Sequence, residues 1–241
     1  MTDLSKNPSR IAGMFDAIAP RYDFLNHLLS GGIDRYWRAR AIRSLGLTGG
    51  ERVLDLCAGT GDLAIAARRA RPGAARVVGV DFAAAMLAVG ADKLRRERLS
   101  GAITLVRGDA MRIPVADKSV DAVTVAFGIR NVEDVEAACR DMYRVLKPGG
   151  RLAILEFAIP TAPLFRVVYL SYFRHILPRI GRFVSGHDAA YGYLPASVGT
   201  FASPDELTDL LRKNGFREVS ANSLTFGSVF LYTARRLEAG G

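Results

Sequence analysis

Residues 52–62 read Arg52-Val-Leu-Asp-Leu-Cys-Ala-Gly-Thr-Gly-Asp62, and their pattern decides the fold. A short apolar run, Arg52 to Leu56, enters a glycine-rich turn, and a helical pattern follows from Asp62 to Arg71. This predicts a buried strand that carries the chain to one edge of a sheet and a helix that brings it back. The unit recurs downstream. Val77 to Val80 is a second strand ending at Asp81, followed by a helix from about Ala83 to Arg98. Ile103 to Val106 is a third, ending near Gly108-Asp109, and Val120 to Phe127 is a fourth, followed by helical Glu133 to Leu146. Lys147-Pro-Gly-Gly150 makes the turn into a fifth strand, Leu152 to Phe157. Strands alternating with helices imply βαβ units and a parallel sheet covered on both faces.

On the amino-terminal side, residues 1–10 read as frayed, and Ile11 to Arg43 as helical with breaks at Pro20 and Gly31-Gly32. On the other side the rhythm stops over residues 158–202, an aromatic-rich insertion with four prolines. It resumes at Ser203-Pro-Asp-Glu206, a helix start with a capping box, and Gly215 ends that helix. Arg217 to Ser223 and Phe226 to Ala234 then read as a closing antiparallel hairpin. The organisation is one Rossmann-like α/β domain with seven strands. It has a helical lid (1–45), a βαβ core (50–157), a cap insertion (158–202) and a closing helix and hairpin (203–235).

The 241 residues suit one elaborated domain, and 49% hydrophobic residues can fill its core. Mean hydropathy is +0.13. Lys and Arg exceed Asp and Glu by nine, which favours an anionic partner or serves solubility alone. No basic run has the interleaved aromatics of a nucleic-acid module, so no nucleic acid is expected. Two cysteines, Cys57 and Cys139, cannot form a disulfide framework, and no secretory or membrane-spanning stretch is visible. The expected location is the cytoplasm, with peripheral contact on the inner face of the cell membrane left open. The oligomeric state is also open, a homodimer included.

Gly59 and Gly61 let the backbone approach a ligand closely at the sheet edge. Taken alone, the turn fits a dinucleotide as well as S-adenosylmethionine, with Ala64 as the third small residue. Asp81, 20 residues after Gly61, is placed for the ribose hydroxyls of either one. Asp55 separates the two. A carboxylate just before the glycines would face a pyrophosphate, and a desolvated like-charge contact costs roughly several kcal/mol. S-adenosylmethionine carries an ammonium and a sulfonium instead, which Asp55 can attract. Asp109 can accept the adenine amino group, and Ala110 can offer its N–H to a ring nitrogen. The competing reading makes Asp55 a turn cap and Asp109 a solvated carboxylate.

The chain resembles the menaquinone/ubiquinone biosynthesis C-methyltransferases, including demethylmenaquinone methyltransferase. The matching blocks are Met14-Phe-Asp-Ala-Ile-Ala-Pro-Arg-Tyr-Asp-Phe-Leu-Asn26, Leu29-Ser-Gly-Gly32 with Trp37-Arg38, Val53 to Asp62, and Phe127-Gly-Ile-Arg-Asn-Val132. Leu146-Lys-Pro-Gly-Gly150, Leu155-Glu-Phe157, Tyr191-Gly-Tyr-Leu-Pro195 and Leu224-Thr-Phe-Gly227 extend the likeness from about 11 to 234. The nucleotide-site and Lys-Pro-Gly-Gly blocks are common to many methyltransferases. The Phe127 and amino-terminal blocks are far more specific. Ala83, Ala196 and Ala202 depart from the family's usual Ser, Glu and Pro.

The resemblance implies a class I S-adenosylmethionine-dependent methyltransferase that methylates a ring carbon of a polyprenylated quinol, either naphthoquinol or methoxy-benzoquinol. It implies cofactor contacts from Thr60, Asp81, Asp109 and Ala110, with Phe82 and Phe127 completing the pocket, and no metal. It makes Arg130 and Asn131 the catalytic candidates. Arg130 would hold the quinolate oxygen or polarise a water, and Asn131 would orient that water or the ring. The alternative for Arg130 is a surface ion pair with Glu133 or Asp134. Tyr22, Asp23 and Asn26 would belong to a lid that keeps water from the sulfonium.

Two further features bear on partners. Residues 163–184 mix aromatic and aliphatic residues with Arg166, Arg174, Arg179 and Arg182. They read either as an interfacial segment on an anionic membrane or as a cap helix with solvated arginines. Contact with other quinone-biosynthesis enzymes is a further open partner. His27, His175 and His187 lack metal-ligand spacing, so structural or exposed roles are expected. Cys57 reads as a small packing residue, and Glu156 as either a substrate contact or a structural carboxylate. The rivals are another small-molecule or RNA methyltransferase, a non-catalytic S-adenosylmethionine-binding protein, and an NAD-dependent oxidoreductase.

Overall fold

The computed structural model describes residues 6–70, 76–172, 175 and 188–238, with residues 188–192 described by backbone alone. Its strands are β1 (Arg52–Leu56), β2 (Arg76–Asp81), β3 (Ile103–Arg107), β4 (Val120–Ala126), β5 (Leu146–Phe157), β6 (Arg217–Leu224) and β7 (Val229–Arg235). They form one sheet in the order β3-β2-β1-β4-β5-β7-β6. The first five pair in parallel, and β7 runs antiparallel between β5 and β6. The order reverses between β1 and β4, so the helices that follow these neighbours lie on opposite faces and a crevice opens at the strands' carboxyl ends.

Period-two alternation divides the strand residues between two layers. Leu54, Leu56, Val123, Val125 and Ile154 pack one side with Met142 and Leu211. Val53, Ala122, Ala153 and Leu155 pack the other with Ala41, Ile42, Ala64 and Leu94. The second layer is built by α3 (Asp34–Ser44), α4 (Asp62–Ala70) and α5 (Ala84–Arg96), the first by α6 (Val135–Val145) and a helix at Pro204–Lys213. Each fully buried Leu, Ile or Val contributes about 1.5–3 kcal/mol. A charge at Val123, which is completely enclosed, would have no partner and would break the layer.

The lid begins earlier than the sequence suggests. Pro8 opens α1 (Pro8–Ile18), and the Asn7 side chain accepts the Arg10 N–H, so residues 8–10 are helical rather than frayed. Residues 1–5 lie outside the described residues. The breaks fall at the expected places, with α2 (Tyr22–Leu29) following the Pro20 turn and α3 following Gly31-Gly32. Lys147 to Gly150 is a second correction. It is not a free turn but the first part of β5, with Gly149 and Gly150 bonded to Arg236 and a register jump opposite Val120 and Ala122. The backbone there keeps a pairing strand, so the turn is absorbed as a bulge.

Among the described residues, the insertion forms α7 (Pro163–Ser171) and α8 (Asp188–Thr200). The closing helix, α9 (Pro204–Lys213), has the full Ser203–Glu206 capping box. Lid and cap meet where Ile18 and Leu25 pack with Tyr169, Tyr172 and Leu194. The lid also caps α5. Ala83 offers no side-chain acceptor at that N-terminus, and Asp16 from α1 accepts the Ala85 N–H at 2.8 Å instead. No helix among the described residues is long and apolar enough to cross a membrane.

Candidate active site

Two cavities open at the crevice and share Phe15, Tyr22 and Phe127 as their common wall. The first, of about 780 Å³, lies over the β1 and β2 ends. Gly59, Asp81, Phe82, Asp109, Ala110, Phe127 and Asn131 all line it, as does Cys57. Gly59 has φ +54°, and a Cβ there would sit 3.2 Å from the Met86 methyl, so the turn closes tightly over α5.

Asp81 is held by its surroundings. Its two oxygens accept the Gly59 N–H at 2.7 Å and the Ala83 N–H at 2.8 Å. Burial raises its pKa, against these hydrogen bonds. Each carboxylate oxygen keeps a lone pair for a hydroxyl donor. Asp109 accepts the Met111 N–H at 2.8 Å and faces the same cavity. The Arg107 guanidinium lies over the Phe82 ring at 5.7 Å and fixes that ring. Burial raises the Cys57 thiol well above its ordinary value, which leaves it a packing atom and not a nucleophile.

Three of the expected cofactor residues do not line the first cavity. Asp55 lies beneath the turn, 1% exposed, where Thr124 donates to one oxygen at 3.0 Å and the other is buried without a partner. Burial pushes its pKa up to about 7, outweighing the Thr124 hydrogen bond. Thr60 directs its hydroxyl away from the cavity, to Asp23 at 2.5 Å, and accepts Lys93 at 3.2 Å. Gly61 shapes the turn at φ +83° without lining either cavity. Arg130 lines the second cavity, while Asn131 beside it faces the first, with its Oδ1 buried and unpartnered.

The second cavity, of about 1270 Å³, lies between lid, sheet edge and cap. Its floor is an aromatic box. Phe127 and Phe157 stack at 4.4 Å, the Trp37 edge meets both, and Trp37 is fixed by its N–H to Thr225 at 2.8 Å. Tyr169, Tyr172 and Tyr193 close it from the cap. Two arginines stand in this wall, Arg38, which pairs with Asp34 and Asp62, and Arg130. Arg130 does not pair with Glu133 or Asp134, because its chain turns inward to Glu156, which is fully buried. Nη1 donates to Glu156 at 2.7 Å and to the Phe127 carbonyl, and Nε to Ser197 at 3.4 Å. Nη2 makes no hydrogen bond to any described residue.

A charge network that sequence spacing does not reveal ties the lid to the turn. Lys93 Nζ lies 2.5 Å from Asp23 and 2.6 Å from Asp62. Arg38 joins Asp34 to Asp62, and His27 Nδ1 meets Asp34 at 2.7 Å. His27, Asp34 and Asp62 come close enough to suggest a metal triad, but Arg38 and Lys93 already balance these carboxylates. The Arg38 charge and the Ser30 hydroxyl overcome burial and hold Asp34 below the ordinary carboxylate range.

The donor set tests the cofactor. Among the described residues lining the first cavity are two carboxylates, a buried amide oxygen and no Lys, Arg or His. Such a wall suits hydroxyls, an amine and a sulfonium, and offers nothing to neutralise a diphosphate. An S-adenosyl group fits, and a dinucleotide does not.

Comparison with known proteins agrees. The profile of the ubiE/COQ5 methyltransferase family matches residues 1–236. A protein of Geobacter sulfurreducens named ubiquinone/menaquinone biosynthesis C-methyltransferase UbiE is 45% identical, over 98% of this chain and 92% of its own. A demethylmenaquinone methyltransferase of Deinococcus radiodurans is 47% identical, over 89% and 87%. Among solved structures, the [4+2]-cyclase SpnF superposes with a TM-score of 0.73 at 20% identity, covering 97% of this chain and 98% of that one.

Proposed function

The chain belongs to the ubiE/COQ5 methyltransferase family, and from that premise we propose which residues hold its two reactants. It is an S-adenosylmethionine-dependent C-methyltransferase of quinone biosynthesis. S-adenosylmethionine, when bound, supplies a methyl group already activated on sulfur. Asp81 takes the ribose hydroxyls, Asp109 and Ala110 the adenine, and Phe82 covers the base. Asn131 Oδ1, unpartnered in the same wall, accepts a donor from the amino-acid end. Asp55 acts from below the turn, as a carboxylate that ionises when a cation lies above it.

The ring of a polyprenylated quinol lies in the aromatic cavity. The observation that carries this reading is the common wall, which brings an acidic, cation-accepting cavity against an aromatic one lined by Arg130 and by Arg38, the latter already paired with Asp34 and Asp62. Proximity and alignment of this kind supply up to roughly 7–11 kcal/mol. Arg130 Nη2 donates to the quinol oxygen as charge develops on it, and Glu156 fixes the guanidinium from behind. An arginine so paired keeps its proton, so it stabilises and does not abstract.

The assay is methyl transfer from labelled S-adenosylmethionine to reduced demethylnaphthoquinol and methoxy-benzoquinol, followed by extraction. Label in neither extract would refute the acceptor assignment. Arg130→Lys should lower kcat about 100-fold with cofactor affinity unchanged. Near-normal turnover would remove Arg130 from the mechanism. Peripheral contact with an anionic membrane is part of the same proposal. In its support, Arg166 is exposed on α7 beside Leu164, Val167 and Val168. Arg174, Arg179 and Arg182 lie outside the described residues.

A further inference from the structure

The acceptor cavity is roofed by a helix with two apolar sides. On α7 and its C-cap, Phe165, Tyr169 and Tyr172 line the cavity, at the i, i+4, i+7 spacing of one helical face. Leu164, Val167 and Val168 stand in solvent on the flanks and back of the same helix, exposed to 82%, 67% and 58%. Phe226, 76% exposed, stands in the turn between β6 and β7. Thr225 and Phe226 both hold left-handed backbone, at φ +46° and +55°, a conformation side chains rarely adopt. The strain keeps Phe226 turned outward while Thr225 bonds Trp37 on the cavity floor. The Phe165 and Phe226 rings meet at 5.0 Å. One member of that pair lines the cavity and the other stands outside it.

This arrangement has no use in holding a bare ring, because the aromatic box and Arg130 already do so. It leaves apolar surface in water, which soluble proteins limit unless something covers it. Resting on the assignment of a polyprenylated quinol to this cavity, we infer that the prenyl tail leaves the ring pocket across the Phe165–Phe226 pair. Phe226 is therefore a specificity-determining residue for tail-bearing acceptors. The tail lies on the aliphatic side of α7, so its isoprene units and the exposed side chains shield one another from water. The β6–β7 turn sets the width of this exit, since Gly227 packs on Pro160 and Thr161 just before α7.

The test compares two acceptors with the same quinol ring, one without a tail and one with several isoprene units in detergent. The enzymes are the wild type, Phe226→Ser and Phe226→Leu. Wild type should show a lower KM for the tailed acceptor. Phe226→Ser should raise that KM about tenfold, the order of one lost aromatic contact. It should leave kcat and the tail-less KM unchanged, and Phe226→Leu should restore most of the preference. An equal rise for both acceptors would mark Phe226 as merely structural, and unchanged kinetics for both would place the tail elsewhere. Either result overturns the inference while leaving the acceptor cavity intact. Failure of wild type to methylate either acceptor would instead overturn the assignment on which the inference rests.

Discussion

Replacing Glu156 with Leu should be the most damaging single change at the site, and its cost can be worked from the contacts. Glu156 is fully buried and accepts three hydrogen bonds, from the Arg130 side chain at 2.7 Å, the Arg130 N–H at 3.2 Å and the Phe157 N–H at 2.9 Å. Leu fills similar volume but leaves the Arg130 charge enclosed and unpaired. Breaking a buried pair from one side costs about 3–5 kcal/mol. For a chain of this size, that lowers Tm by roughly 6–20 °C. Glu156→Gln keeps acceptor geometry and should cost less. The double variant Arg130→Met/Glu156→Leu removes both charges and should recover most of the loss, since the two residues are coupled. Urea unfolding followed by fluorescence is the assay. Trp37, the only tryptophan, packs on Phe127 and Phe157 beside the pair and reports on this region directly. The double variant should be folded, should bind S-adenosylhomocysteine and should be inactive. A loss below about 1 kcal/mol in Glu156→Leu, or a double variant no more stable than the single, would refute the buried-pair account.

Asp55 should make stability depend on pH. Its folded pKa of about 7 exceeds the unfolded value, so the folded state holds the extra proton. The resulting stabilisation is fully present below the unfolded pKa near 4 and is lost as pH rises through about 7. Three units correspond to at most about 4 kcal/mol. Urea midpoints of Asp55→Asn at pH 5 and pH 8 should therefore lie closer together than those of wild type, and equal slopes would discount the carboxyl. Lys93→Met leaves Asp23 facing Asp62 across the lid contact and should cost about 2–3 kcal/mol. It should also weaken cofactor binding measured by calorimetry, and unchanged binding would show that the latch does not hold the lid. Changing Arg166, Arg174, Arg179 and Arg182 to Glu should abolish flotation with anionic liposomes, and equal flotation would end the membrane proposal.

The core was legible because its signals are local. The alternation within Arg52–Leu56 and Val120–Ala126, the glycine turn and the Ser203–Glu206 box each act within a few residues of themselves. The carboxylates of the first cavity were legible for the same reason, since strand ends fix Asp81 and Asp109. The network of Asp23, Asp62 and Lys93 was not, because its members are separated by up to 70 positions and meet only when the lid folds down. Arg130 was recognised, but its partner was sought three or four residues away. A helix would have placed Glu133 or Asp134 beside it, whereas a short turn at Ile129–Asn131 points Arg130 across to β5. The cap was least legible, its aromatic faces being set by what lies beneath them.

The fold alone would not identify the chemistry, since a cyclase superposes on nearly the whole chain. What restricts the chemistry lies where the β1 and β4 loops touch. Cys57 and Phe127 follow these two strands, and both hold left-handed backbone, at φ +56° and +58°. Gly128 completes the contact, because a Cβ there would fall 2.3 Å from that of Cys57. Each such residue costs about 1–3 kcal/mol, which persists only where the surroundings enforce it. The enforced outcome is that Phe127 leaves its strand sideways, stacks on Phe157 and becomes the wall between the cavities. Its carbonyl, turned by the same backbone, accepts Arg130. One strained turn thus sets both the boundary between the two cavities and the aim of Arg130 at the edge of the second. A relaxed Phe127 backbone would lose both together.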